Sequence, residues 1–140
     1  MSLTAAPPTS LPRTLARWLL GSVLVLTGVA HLTFAREEFQ AQVPDWFPGD
    51  ADWVVLISGA VEIGLGAALI AWARGRVTVG FVVAAFFVAI FPGNINQYVE
   101  GIDAFGLDTD GKRLTRLFFQ PVLIVWALWS TGAWRDRPRR

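Results

Sequence analysis

Four long apolar runs separated by short polar stretches dominate the chain, over about residues 15–35, 53–73, 77–97 and 114–134. Each is about 20 residues long, which at 1.5 Å per helical residue crosses a ~30 Å hydrocarbon core. The pattern predicts an all-α, integral-membrane four-helix bundle over residues 14–134, with the first 13 residues a disordered, proline-containing leader and residues 135–140 a basic tail. The first run is longer than the apolar core of a signal peptide and is expected to remain as a span. Four crossings put both termini on one side.

Composition sharpens this picture. The chain has 140 residues, enough for one domain; 54% of them are apolar and 16% charged, and the charges sit in clusters between the runs. No basic stripe suited to nucleic acid is formed at a net charge of +1. With no cysteine there is no thiol redox chemistry, iron–sulfur cluster or disulfide, and one histidine with one methionine argues against a haem held by this chain alone. Any redox role needs a borrowed cofactor.

Basic residues in short loops set orientation. Arg13, Arg17, Arg74, Arg76, Arg135, Arg137, Arg139 and Arg140 fall on one side, Arg36, Lys112, Arg113 and Arg116 on the other, which predicts cytoplasmic termini. Trp18, Trp72 and Trp134 mark the inner interface, Trp46 and Trp53 the outer one. The outer segment Val43-Pro44-Asp45-Trp46-Phe47-Pro48 is too apolar for a solvated loop and reads either as a lid over the bundle mouth or as an interfacial anchor. Gly21, Gly28, Gly59, Gly64, Gly66 and Gly80 are places where helices can approach closely.

Candidate chemistry lies in the outer half. An ionisable group at mid-span costs about 2.5–3.5 kcal/mol on insertion scales and so faces inward toward a partner. Glu62 is such a group, roughly 15 Å below Asp52, with Ser58 one turn above it on the same face. His31 closes the first run, Asn94 and Asn96 follow Phe91-Pro92-Gly93, and Arg116 and Gln120 share a face of the fourth. Phe86, Phe87, Phe91 and Trp126 supply candidate apolar walls. Four helices aiming polar groups at one level suggest a cavity. The structural alternative is that Glu62 is a clamp paired with Arg116 or Gln120, His31 an interhelical donor, the asparagines caps and Gln120 glue between helices.

Gly28-Val29-Ala30-His31, Val43-Pro44, Ser58-Gly59 with Glu62 and Gly64-Leu65-Gly66, Phe91-Pro92-Gly93-Asn94-Ile95-Asn96 and the Arg116 to Gln120 turn resemble, in order and spacing, the DoxX-like family of small four-helix bacterial membrane proteins. The pattern departs where proline is expected between Arg116 and Gln120: Phe118-Phe119 stand there and Pro121 follows. The resemblance implies a multi-pass protein of the bacterial cytoplasmic membrane. It also implies an accessory role in a membrane redox complex, with a quinone or similar lipophile held by the outer-half polar residues. A non-catalytic assembly protein is the alternative. A small transporter fits less well because the inner half lacks polar groups for a path to both sides, and an autonomous enzyme least, because no nucleophile, metal triad or phosphate loop is visible. Membrane lipid and redox-complex subunits are the expected partners; ligand identity and oligomeric state stay open.

Overall fold

The computed structural model describes residues 9–103 and 107–136, without the side chains of residues 38, 41 and 42. Residues 1–8 of the expected leader and residues 137–140 of the basic tail lie outside this range. The helices are α1 (Leu11–Leu32), α2 (Arg36–Gln42), α3 (Ala51–Ala71), α4 (Arg76–Val99) and α5 (Asp110–Ser130), with a single 3-10 turn at Ala73–Gly75. The four long ones form an up-and-down bundle; α2 belongs to the segment expected as a plain loop.

Local chemistry explains the boundaries that differ from the apolar runs. α1 starts inside the expected leader because the Ser10 side chain accepts the amide of Arg13 and Pro12 is tolerated in a first turn. α5 starts at Asp110, capped by the Thr109 hydroxyl on the Lys112 amide, and so takes in charges that precede its apolar run. It stops before that run ends, because Gly132 adopts φ +67° and the amides of Gly132 and Ala133 bond back to the carbonyls of Trp129 and Leu128. α4 runs through Pro92 to Val99.

Among the described residues three segments, Leu11–Leu32, Ala51–Ala71 and Ala73–Val99, are long and apolar enough to cross a membrane. The side-chain distribution is inverted relative to a water-soluble bundle. Leu26, Ile57, Val88, Phe118, Phe119 and Val122 are exposed on the outside, whereas Gln97, Gln120, Ser130 and Thr131 are sealed within. A solvent of lipid tails permits that arrangement; water penalises it. α5, expected as the fourth span, is not among these three segments, because it takes in the charged residues Asp110, Lys112, Arg113 and Arg116; beyond them it exposes Phe118, Phe119 and Val122.

α1 and α3 are packed almost backbone to backbone. A Cβ on Gly66 would lie 2.5 Å from the carbonyl oxygen of Gly21, and one on Gly28 would lie 2.7 Å from that of Gly59. Gly64 faces open space and has no part in this seam. Around it Leu20, Leu24, Leu69, Val83, Phe87 and Ala127 form the buried core.

At the end of the bundle bearing the termini, two buried arginines close helix C-termini, where unpaired carbonyls and the helix dipole favour a cation. Arg17 donates to the carbonyl of Leu69 in the last turn of α3, and Arg76 to that of Thr131 after α5. Trp126 also serves here: its indole donates to the carbonyl of Ala16 at 2.9 Å and ties α5 to α1. Trp18, Trp72 and Trp134 are exposed at this end and Trp46 and Trp53 at the other, the two belts expected at membrane interfaces.

Asp136 completes the capping. Hydrogen bonds from Arg135, opposed by burial and reinforced by Arg76, hold its carboxyl down to about 2. A carboxyl depressed in this way contributes stability above the ordinary value of about 3.9, and that contribution is lost as pH falls toward the folded value. Asp136→Asn is therefore expected to cost about 1–3 kcal/mol at pH 7, because the buried Arg76 loses its acid. The gap between wild type and variant in detergent unfolding curves should shrink as pH is lowered from about 4 to 2.

Candidate functional site

The opposite half of the bundle contains a cavity of about 690 Å³ between α1, α3, α4 and α5. Its walls are mainly apolar, from Leu20, Val23 and Leu24 on α1, Phe86, Phe87 and Ile90 on α4, and Leu123 on α5. Phe39, Val43, Pro44, Trp46 and Phe47 line its outer part. The segment thus lines the cavity as a lid would, while the exposure of Trp46 and Phe47 equally suits an interfacial anchor. It is anchored by Arg36, whose guanidinium grips Asp52 with bonds of 2.7 and 2.6 Å while Gln40 adds a third of 2.7 Å. Asp52 in turn sits in the first turn of α3, where a negative charge is favoured.

One wall is polar and ordered. His31 Nδ1 stands 3.0 Å from Glu62 Oε2 and 2.8 Å from the carbonyl oxygen of Thr27, and the Thr27 hydroxyl donates to the same carboxylate oxygen at 3.3 Å. The Thr27 carbonyl can only accept, so Nδ1 carries a proton and donates. That assignment fixes the orientation of the ring and leaves Nε2 as its second polar atom. Phe39 of α2 stacks on the imidazole with centroids 3.4 Å apart and planes 15° from parallel. His31 and Glu62 are both buried and both line the cavity. Among the described residues no protein group bonds Nε2 of His31 or Oε1 of Glu62. The pair thus holds itself together through one face and retains one hydrogen-bonding atom on each partner.

The sequence offered Arg116 or Gln120 as the partner of Glu62; the structure gives it His31 and Thr27 instead. The Gly28–Gly59 contact brings α1 against α3 at this level, while Arg116 turns to its own helix and donates to Gln120 Oε1 at 3.2 Å. Gln120 is fully buried: it accepts from Asn94 at 3.4 Å and donates to the carbonyl of Phe87 at 2.5 Å, joining α5 to α4. Arg116 and Gln120 keep their shared helical face across Phe118-Phe119, so the displaced proline does not break this turn.

His31, Ser58, Glu62, Asn94, Arg116, Phe86 and Phe87 therefore meet at the cavity. Gln120 stands behind its wall as a brace. Asn96 does not line it: two residues beyond Asn94 it points about 200° around α4, and its carbonyl accepts the amide of Glu100. Phe91 lies about 100° around from Ile90 and falls outside the lining. Trp126 is about 15 Å further along α5 than Arg116, in the half that carries the termini. Thr27, which the sequence places on the same helical face as His31 but not among the candidate site residues, is a direct participant. Its position four residues before His31, a hydroxyl in an otherwise apolar stretch, was the available signal. Among the described residues no group of three His, Cys, Asp or Glu side chains is placed to hold a metal ion.

No curated protein and no solved structure matches the chain. A family match covers residues 20–131, from the seam of α1 through the last turn of α5, and so includes every residue of the cavity wall on all four long helices. The chain belongs to the DUF8561 family, described as a domain of unknown function.

Proposed function

We propose that the protein is a lipophile-binding membrane protein. It seats a quinone or similar ligand in the lidded cavity, beside the His31–Glu62 pair, as an accessory subunit of a redox complex in the bacterial cytoplasmic membrane. The observation that carries the reading is the pair itself: two ionisable groups ordered against each other, each keeping one free polar atom in a mainly apolar chamber. An apolar pocket of this size with a few convergent polar groups is the usual form of a small-molecule site. Nε2 can donate to, or accept from, a carbonyl or hydroxyl head, and the carboxylate can take up or return a proton. The redox setting rests on the resemblance of the stretches holding His31, Ser58, Glu62 and Asn94 to DoxX-like proteins, and the eight-to-four arginine and lysine asymmetry supports cytoplasmic termini.

A second reading has its own observation. His31, Thr27 and Glu62 satisfy one another, as an architectural clamp between α1 and α3 would, so the protein could act in assembly alone. The two readings separate in nanodiscs titrated with a short-chain quinone while tryptophan emission is followed, since Trp46 lines the cavity. Saturable quenching supports the ligand site; quenching that rises linearly with partitioned quinone supports the clamp.

A further inference from the structure

Arg116 is a cation without an acid. The residue lines the cavity and is half-buried, yet its guanidinium bonds to the neutral Gln120. Among the described residues no carboxylate lies within ion-pair distance of it. The cavity's own carboxylate, Glu62, is held by His31 and Thr27. Arg76 by contrast has Asp136, and Arg113 has Asp103 and Asp110; Arg17 also lacks an acid, but it donates to the carbonyl of Leu69, where the C-terminal end of α3 favours a cation. A guanidinium facing an apolar chamber at membrane depth is costly until an anion meets it. Gln120 cannot supply that charge, and its Oε1 already accepts from Asn94 as well.

Resting on the reading of the cavity as a lipophile site, we propose that its ligand is an acidic amphiphile. A single-chain carboxylate would be clamped by Arg116, with its tail lying along Leu20, Leu24, Phe87 and Leu123. Three features select this class. A guanidinium pairs with a carboxylate through two parallel hydrogen bonds, and one arginine neutralises one negative charge. The cavity runs from Arg116 about 10 Å along α5 to Leu123, with apolar walls beyond the polar head, which is the profile of a head group and a chain. Its volume of about 690 Å³ is that of a drug-sized ligand, suited to one acyl chain and not to a diacyl lipid. The lid, which reaches the cavity near its polar end through Phe39, would cover the bound head.

The test uses the full chain in phosphatidylcholine nanodiscs at pH 8, titrated with the fluorescent cis-parinaric acid and with its methyl ester. The acid is expected to bind at least tenfold tighter than the ester. Arg116→Gln should bring the acid down to the ester's affinity while leaving the ester unchanged, and Arg116→Lys, which keeps the charge but loses the fork, should restore part of the preference. Equal binding of acid and ester by wild type, or a preference that survives Arg116→Gln, overturns the inference. Displacement by lysophosphatidate far more readily than by palmitate overturns the choice of carboxylate. Binding of decylubiquinone but of neither parinaric probe overturns the inference and leaves the cavity reading standing, whereas binding of none of the three removes both.

Discussion

Gly66→Leu is expected to abolish recovery of folded protein. The position meets the carbonyl oxygen of Gly21 and the amide of Val25, and even a Cβ there would lie 2.5 Å from that oxygen. A backbone atom cannot rotate away as a side chain can, so relief requires α1 and α3 to separate along their length. Overpacking in a close-packed interior costs about 1–3 kcal/mol and sometimes more. Here the displaced element is a whole helix, and a loss of about 3 kcal/mol or more is expected. Gly64→Leu, whose Cβ would meet open space, is the control and should be tolerated. Detergent-solubilised yield and thermal unfolding compare the two; a Gly66→Leu protein as stable as Gly64→Leu would show that the glycine seam is not what joins these helices.

Glu62→Gln carries the largest functional effect. The amide keeps the shape of the carboxylate and an oxygen that can accept from Thr27 and from His31 Nδ1, so the bundle is expected to stay folded. What disappears is the negative charge and the ability to exchange a proton. Hydrogen bonds to charged groups are worth about 1.5–3 kcal/mol, so ligands that bond to this pair should bind roughly ten- to a hundredfold more weakly. Proton-coupled turnover of the parent complex should stop. The clamp reading predicts a different result, namely lower thermal stability and poorer complex recovery together, with no bound ligand to lose. Turnover unchanged in the variant would remove the proton-handling role from Glu62.

The bundle itself is written plainly in the sequence, because lipid tails impose one length on every span and the apolar runs report that length. The end points are less legible. Ser10 and Thr109 start helices through one side-chain cap each, outside the apolar runs, and Gly132 stops one inside its run through the turn it makes. α2 was hidden because seven residues with five charged or amide side chains carry no periodicity worth reading; the helix is held by Arg36 and Gln40 on Asp52, a contact distant in sequence.

For the site, the sequence named His31, Ser58, Glu62, Asn94 and Arg116, since a polar group at membrane depth has to face inward. It did not give the pairing. Residue counting placed Glu62 roughly 15 Å below Asp52 and His31 near the outer close of the first run, which kept them apart. The contact depends on α1 ending at Leu32, earlier than its apolar run, and on Gly28 against Gly59 drawing the helices together. Arg116 and Gln120 were grouped correctly by their spacing, but whether they served Glu62 or each other was a question of direction around α5 that spacing alone cannot answer.

The central claim is that the chamber beside His31 and Glu62 holds a small lipophile. It is tested most directly by native mass spectrometry of the protein extracted with its surrounding lipid, alongside Ser58→Phe, which places a ring in the cavity wall. The account predicts a stoichiometric small molecule on the wild-type protein that is lost from a folded Ser58→Phe variant. Wild-type protein carrying nothing beyond loosely attached bulk lipid, at the same level as the variant, would contradict it.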